Sequence, residues 1–472
     1  MKATPRRTAA ALLFLVSMGG ARAEARVTVV TGATVIDGTG RSPIRDAVIV
    51  LEDNKIAAVG TRIDVPIPEG ARRIDATGKF VIPGLMDANV HLMLNMSIEF
   101  VVRYEGRYED LIEEAAQLSL KAGLTTVFDS WGPLQPLMNV RDRIARGQTV
   151  GSRMYVAGNI VGFTGPFGRD FNGTAEATVT PALFRRISAI WEENTGPDLM
   201  YLSPELLRPE IRKYISRGID FLKYGASGHR DEEFLMFSPE AQGAIIEESH
   251  RAGIIVQTHT TNVEALRIAA AGGVDMLQHA SWTGPVPIPD STIKLILDKK
   301  IYAAVQPRTM KRLAYDIAEA ERAGNPRSRS KERLQTMHEN EVALIKAGVP
   351  LLLATDAGPT DPDRLEAMTP AAQAQRPTAW GDAHFLWLEA MVEKGLKPMD
   401  AILAGTRNIA AAYKRLDGIG TLEKGKIADL LILDADPLAD VSNVRRISTI
   451  IKDGKVVDRD SLPLKKALSA PR

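Results

Sequence analysis

Short apolar runs that end in metal-binding or proton-carrying side chains constrain this chain more than any other feature. Each run has the length of a strand buried on both faces, and a polar turn and a helical pattern follow it. Parallel strands arranged as a barrel present their carboxyl ends at one rim. The pattern therefore predicts a barrel whose functional residues share that rim. The residues at the ends of the runs are Asn89, His91, Lys223, His259, His279 and Asp356.

The spacing of the apolar runs predicts eight repeated strand-helix units. Amphipathic stretches such as 108–122, 239–252, 263–271 and 331–347 separate the runs. We therefore expect the α/β class, with a (β/α)8 TIM-type barrel over residues 83–417. The predicted strands are 80–86, 125–129, 154–158, 221–224, 254–259, 274–280, 302–306 and 351–356.

The two ends of the chain share a different pattern. Between residues 27 and 80, short β-type runs alternate with turns, and the same pattern returns at 429–433 and 447–452, where a Lys-Asp-Gly-Lys turn follows. These similar segments predict one small β-sandwich domain, built from residues 24–82 together with 418–465.

The first 23 residues have the pattern of a cleavable secretory signal. Basic residues precede the apolar run 9–16, and Ala21-Arg22-Ala23 supplies small residues for cleavage. The run is far shorter than the roughly 20 residues needed to span a bilayer. We therefore expect a periplasmic or secreted protein, with no membrane attachment after cleavage. Both the general secretory and the twin-arginine routes stay open.

Charge and cysteine content exclude several classes of function. Removal of residues 1–23 takes away four basic residues and no acidic one, so the formal charge changes from +1 to −3. That balance gives no support for a nucleic-acid partner. The chain contains no cysteine, so thiolate nucleophiles, thiolate metal sites and disulfides are excluded. Metal ligands here must be nitrogen and oxygen donors.

The residues at the strand ends suit a divalent cation. Asn89 and His91 are two positions apart, so their side chains leave the strand on the same face. His259 and His279 end neighbouring strands as a pair of imidazoles, and Asp356 can both bind a metal and accept a proton from water. A metal centre explains these donor types together better than core packing does.

Two further runs carry a resemblance to a known family. Residues 80–87 (Phe-Val-Ile-Pro-Gly-Leu-Met-Asp) and 420–430 (Gly-Thr-Leu-Glu-Lys-Gly-Lys-Ile-Ala-Asp-Leu) resemble the entry to and exit from the barrel of the metal-dependent amidohydrolase superfamily. Most of that superfamily has His-x-His where this chain has Asn89 and His91. The Asn-x-His version is similar to the branch that contains phenylurea hydrolases and molinate hydrolase. Imidazolonepropionase-like and Xaa-dipeptidase-like amidohydrolases are more distant relatives by this resemblance.

The resemblance implies a ligand set and a cofactor. Lys223 would be carboxylated and bridge two metal positions, one held by Asn89, His91 and Asp356 and the other by His259 and His279. Because an amide replaces one imidazole, we expect one tightly held zinc ion and a second that is labile or absent. Water activated by the metal would attack the substrate, with Asp356 and Lys223 as the catalytic residues. The resemblance also allows a homo-oligomer.

The sequence predicts less about the substrate than about the metal site. Residues that follow the predicted strands are largely aromatic, which favours a hydrophobic small molecule with an amide, urea, carbamate or N-acyl amino acid bond. A dipeptidase-like activity on Xaa-Pro or acyl-amino-acid substrates is an alternative if basic residues hold a carboxylate. A non-catalytic binding protein on the same scaffold is a third hypothesis. The predicted substrate-binding residues are Tyr224, His229, Arg230, Trp282, Trp131 and Phe163.

Overall fold

The computed structural model describes residues 27–93, 97–168, 171, 175–323, 330–359, 366 and 380–468. The expected signal segment at 1–23 lies outside these residues. Within them, no helix is long and apolar enough to cross a membrane. The strands are β1 (Val27–Val35), β2 (Ile44–Glu52), β3 (Lys55–Thr61), β4 (Arg72–Asp75), β5 (Phe80–Pro83), β6 (Leu85–Val90), β7 (Leu124–Asp129), β8 (Arg153–Val156), β9 (Leu222–Gly225), β10 (Val256–His259), β11 (Met276–Gln278), β12 (Tyr302–Val305), β13 (Leu351–Leu353), β14 (Leu430–Leu433), β15 (Ile447–Lys452) and β16 (Lys455–Val456).

Helices follow most of the central strands. Two short 3-10 helices, Pro197–Tyr201 and Val441–Arg445, accompany them. The α-helices are α1 (Ile98–Arg103), α2 (Tyr108–Lys121), α3 (Leu134–Ala145), α4 (Ala175–Thr178), α5 (Pro181–Glu192), α6 (Pro204–Ile215), α7 (Pro239–Arg251), α8 (Val263–Gly272), α9 (Asp290–Asp298), α10 (Met310–Ala323), α11 (Lys331–Ala347), α12 (Ala383–Glu393), α13 (Pro398–Ala404) and α14 (Arg407–Ala412).

Strands from both ends of the chain pair in one sheet. Its order is β16-β15-β14-β5-β1-β2-β3, and β4 pairs with β1. The strand β14 lies antiparallel to β5, with Leu431 opposite Ile82. This pairing brings the segment that follows the central helices back beside the segment that precedes them.

The eight central strands form two parallel sheets, β6-β7-β8 and β9 to β13 in sequence order. Isolated parallel bridges join Val90 to Ala357, which follows β13, and Val161 to Tyr224 in β9. Backbone hydrogen bonds support both junctions, since His91 N donates to Ala357 O over 2.8 Å and Asp220 N donates to Val156 O over 2.9 Å. The carboxyl ends of the parallel strands, with the candidate residues on them, therefore lie at the same end of the two sheets.

The first predicted central strand is two strands in the structure. Residues 80–83 form β5 of the terminal sheet, and residues 85–90 form β6 of the central one. Gly84 separates them, and a Cβ there would lie 2.3 Å from Thr125 Oγ1. Only glycine allows this close approach between the end of β5 and the start of β7. The chain therefore changes sheets at Gly84 while the apolar run continues.

Local sequence signals fix the helices behind the candidate site. The Asn262 side chain accepts from Ala265 N at the start of α8, three residues after His259, and Gly273 ends that helix with φ 82°. Ser238 caps α7 in the same way, with Pro239 in the first turn. These caps fix where each strand ends and its helix begins, and so where the strand-end side chains lie.

Candidate metal centre and substrate pocket

The strand-end residues predicted from the sequence gather at one rim, and all of them except Asp356, whose side chain is 25% exposed, are buried from solvent. Lys223 is 1% exposed, His259 3% and His279 8%. His279 and Asp356 both adopt φ 58°, in the left-handed region that non-glycine residues rarely occupy. Backbone strain of this kind persists where the surrounding structure holds a side chain in a required direction.

Asp356 is the centre of the first group of contacts. Its Oδ1 lies 2.8 Å from His91 Nε2 and accepts a 3.1 Å hydrogen bond from Asn89 Nδ2. Gln306 Nε2 lies 3.4 Å from the other oxygen, Oδ2. Burial acts to raise the pKa of Asp356, but the charge of His279 and the hydrogen bond from His91 outweigh it and hold the pKa well below its ordinary value. The carboxylate is therefore ionised.

His259 and His279 form a second group. Their rings are 4.7 Å apart, centre to centre. Burial lowers the pKa of both imidazoles, to about 4 for His279. His259 Nε2 is buried without a hydrogen-bond partner. A neutral imidazole with an unused ring nitrogen is the form that binds a metal ion.

Lys223 lies between the two groups. Burial lowers the pKa of its amine to about 8, against the opposing charges of Asp356 and Asp129. Nζ donates to Ser130 Oγ over 3.0 Å and to Asn89 Oδ1 over 3.4 Å. Ser130 in turn donates to Asn89 Oδ1. The amide oxygen of Asn89 thus faces Lys223 and Ser130, while its amide nitrogen faces Asp356.

Ser130 and two buried acids are functional candidates that the sequence analysis missed. Asp129 accepts from the backbone nitrogens of Leu92 and Trp131, and burial raises its pKa to about 8. Asp87 accepts from Thr355 Oγ1 over 2.5 Å, and burial raises its pKa to about 7. Both carboxyls tie neighbouring strand ends together. The signal was present, because Asp129-Ser130 follows a buried strand as the other site residues do.

Aromatic rings stand beside the histidines. The Trp131 ring lies 6.1 Å from His91, and the Phe163 ring lies 5.3 Å from His259, both edge-on. Phe171 stacks on Trp131 at 3.9 Å and also contacts His229 at 4.5 Å. We call Trp131, Phe163, Phe171 and His229 the aromatic wall. Three of the predicted substrate-binding residues belong to it, and Phe171 was not foreseen.

Three other predicted substrate-binding residues lie elsewhere. Tyr224 follows Lys223, so it leaves β9 on the opposite face, and its hydroxyl donates to Gln242 on α7. Arg230 is exposed and donates to Phe171 O over 3.0 Å. Trp282 packs on a separate apolar cluster between α10 and α11. The structure therefore places Tyr224 and Trp282 away from the aromatic wall, whereas Arg230 contacts the wall through the backbone of Phe171.

The grouping of the histidine and aspartate donors determines how a metal ion would bind. In the part of the chain that the structure describes, no three His, Asp or Glu side chains gather closely enough to hold an ion by themselves. His91 with Asp356, and His259 with His279, instead form two pairs. Among these donor atoms, His259 Nε2 has no hydrogen-bond partner within the described residues. These nitrogen and oxygen donors fit a divalent cation once a further ligand, such as a modified Lys223, completes the set.

Buried imidazoles, an ionised aspartate and an aromatic wall at the ends of parallel strands define a hydrolase-type site rather than a packing core. The chain belongs to the amidohydrolase family, whose model matches residues 80–457. The fold is accordingly of the TIM-barrel α/β type, and the protein is a hydrolase acting on carbon–nitrogen bonds. The enzymes of this family generally depend on divalent metals.

Individual relatives agree with the family assignment. The structure of a molinate hydrolase superposes with a TM-score of 0.89 at 40% identity, covering 95% of this chain and 98% of that one. The structure of phenylurea hydrolase B gives a TM-score of 0.89 at 35% identity, covering 94% and 100%. The ochratoxinase of Aspergillus niger is 26% identical over 464 residues, 92% of this chain and 87% of its own length.

Proposed function

We propose that this protein is a metal-dependent hydrolase that cleaves an amide-like C–N bond of a hydrophobic small molecule. The observation that carries the proposal is the unpartnered, buried His259 nitrogen, opposite an ionised Asp356 and beside an aromatic wall. Packing alone gives no reason to bury an imidazole with an unused nitrogen. A ligand at that position does.

In the proposed architecture the eight central strands close into one (β/α)8 barrel. The Val90–Ala357 and Val161–Tyr224 bridges support closure, because they join the two parallel sheets at both junctions. The terminal strands would form a separate small β-sandwich over residues 24–82 and 418–465. A closed barrel holds the strand ends in a ring around one central position.

The proposed cofactor is one tightly held zinc ion, with carboxylated Lys223 among its ligands. Asn89, His91, His259, His279 and Asp356 are the other residues that would hold divalent metal at this rim. The separation of the donors into two pairs leaves room for a second, weaker position. When bound, a divalent cation of this kind lowers the pKa of water and polarises a carbonyl oxygen.

Asp356 is the proposed general base and acid. Its ionised carboxylate is held at Oδ1 by His91 and Asn89, which leaves Oδ2 facing only the weaker Gln306 contact. Oδ2 can therefore take a proton from attacking water and return it to the leaving nitrogen. The buried rim excludes bulk water and so strengthens these electrostatic interactions.

The aromatic wall sets the proposed substrate class. Trp131 stacks on Phe171, and His229 packs against Phe171 at a tilt, so apolar rings lie next to the proposed reaction centre. The related enzymes are a molinate hydrolase and a phenylurea hydrolase, which supports a urea-like or carbamate-like bond that suits the same attack on a carbonyl carbon. Arg230 uses one of its N–H groups to bind Phe171 O, and its remaining N–H groups would bind a substrate carboxylate in the dipeptidase alternative.

A substrate panel tests this function. Purified zinc-loaded protein is assayed with anilides, phenylureas, carbamates, N-acyl amino acids and Xaa-Pro dipeptides, before and after chelation. We expect chelation-sensitive turnover of uncharged aryl substrates. Preference for dipeptides would favour the dipeptidase alternative, and absence of turnover with every class would favour a binding protein.

A further inference from the structure

Ser130 is a buried polar residue that the proposed reaction does not yet use. It follows β7 and is 0% exposed. Its hydroxyl donates to Asn89 Oδ1 and accepts from Lys223 Nζ over 3.0 Å. A hydroxyl has one hydrogen to give, and here Asn89 receives it. Ser130 therefore faces Lys223 as an acceptor.

This polarity matters for the chemical form of Lys223. A carboxylated lysine keeps a single N–H on its nitrogen, and that nitrogen is planar because it is conjugated with the carboxylate. If the N–H points to the nearest acceptor, Ser130 Oγ, the new carboxylate must lie on the side of the nitrogen away from Ser130. The existing contact thus suits the modified lysine without rearrangement.

We propose that Ser130 is the positioning residue for carboxylation of Lys223. In the reaction, the neutral amine forms an N–C bond to carbon dioxide. The electron pair of one C=O π bond moves onto its oxygen to give the carboxylate, and one N–H proton passes to buffer base. Ser130 accepts the remaining N–H and fixes the plane of the carbamate. The inference rests on the proposed carboxylated lysine and extends it to a residue outside the metal ligands.

The experiment measures the carbamate itself rather than activity. Zinc-loaded enzyme is equilibrated with ¹³C-bicarbonate at a series of concentrations, and the carbamate carbon is quantified per chain by ¹³C NMR. Ser130→Ala is expected to need about tenfold more bicarbonate for half-maximal carboxylation, equivalent to about 1.4 kcal/mol for one hydrogen bond. Ser130→Thr, which keeps the hydroxyl, is expected to recover most of this loss.

Controls separate a positioning role from a general loss of structure. Ser249 is equally buried and its hydroxyl bonds Ile245 O within α7, so Ser249→Ala removes a hidden hydroxyl far from Lys223. It should carboxylate as the native enzyme does. If Ser130→Ala does not fold, Ser130→Cys, with its weaker sulfur acceptor, is expected to shift the bicarbonate dependence in the same direction.

The outcomes distinguish this inference from the function on which it rests. An unchanged bicarbonate dependence in Ser130→Ala, with a clear carbamate signal in the native enzyme, would overturn the role of Ser130 alone. No carbamate signal in native zinc-loaded enzyme would overturn the carboxylated lysine and, with it, this role.

Discussion

Charged groups are buried at both ends of the central strands, but they are paired differently. At the amino-terminal ends, Arg153 contacts Asp429 and Asp453, and Arg141 contacts Asp220. A cleft of about 1520 Å³ opens there, and Arg141, Arg153, Asp220 and Asp453 are among its lining residues. At the carboxyl-terminal rim, an imidazole nitrogen has no partner and a lysine faces only neutral oxygens. Complete pairing is typical of a structural network, and the incomplete pairing at the rim supports the proposed metal site.

The largest expected effect comes from removing the unpartnered donor. His259→Ala should lower kcat/KM by at least about 10³-fold, because a ligand and its contribution to the transition state are lost. Its Tm is compared in metal-free protein, where any fall reports the cavity left by the buried ring rather than the loss of a bound ion. His250→Ala is the matched control, as His250 lies on α7 and pairs with Asp275. Equal activity losses in both variants would contradict the comparison.

The opposite end should respond in stability rather than in activity. Arg153→Ala leaves Asp429, only 7% exposed, without its cation, and is expected to cost about 3 kcal/mol of unfolding free energy. The folded fraction should keep native kcat. Urea denaturation measures the loss, and Arg267→Ala, which breaks an exposed pair with Glu264, should cost less than about 1 kcal/mol. A large drop in kcat at native stability would show that the network takes part in the reaction.

The sequence could predict part of the fold and part of the candidate site. Buried apolar runs predicted the central strands and the polar side chains at their ends, because strand length and residue type are local properties. The change of sheet at Gly84 could not be foreseen, since it depends on contact with Thr125 on another strand. Tyr224 was assigned to the pocket although strand alternation, with Lys223 pointing inward, already turned it outward. Phe171 and the location of Trp282 depend on long connections whose packing no local pattern encodes.

The third prediction concerns a buried histidine away from the rim. Burial lowers the pKa of His384 to about 4, and its Nε2 donates to Ala122 O over 3.0 Å. Below pH 6.5 the His384 imidazole is protonated in the unfolded chain but stays neutral in the folded chain. His384 should therefore lower the free energy of unfolding as the pH falls from 6.5 to 4, by up to about 3 kcal/mol. Urea unfolding at pH 7.5 and pH 4.5 should show a smaller decline in His384→Gln. An identical decline would refute the assignment.

The smallest effect tests the aromatic wall. Phe163→Leu keeps an apolar side chain but removes the ring beside His259, and we expect KM for aryl substrates to rise about fivefold, with kcat nearly unchanged. Phe128→Leu is the control, because Phe128 stacks on Tyr413 within the core. Initial-rate kinetics with matched aryl and alkyl substrates should show the rise for aryl substrates only in the Phe163 variant. Similar changes for both substrate types would argue against ring recognition.

The most direct test of the proposed metal site at the carboxyl-terminal rim is metal stoichiometry measured together with turnover. Chelated enzyme is titrated with zinc while bound metal per chain and hydrolysis of an aryl urea or carbamate are followed in native protein and His259→Ala. We predict that activity rises in step with one tightly bound ion and that the variant neither retains that ion nor turns over. Full turnover in metal-free native protein, or tight zinc binding that is unaffected by His259→Ala, would contradict the account.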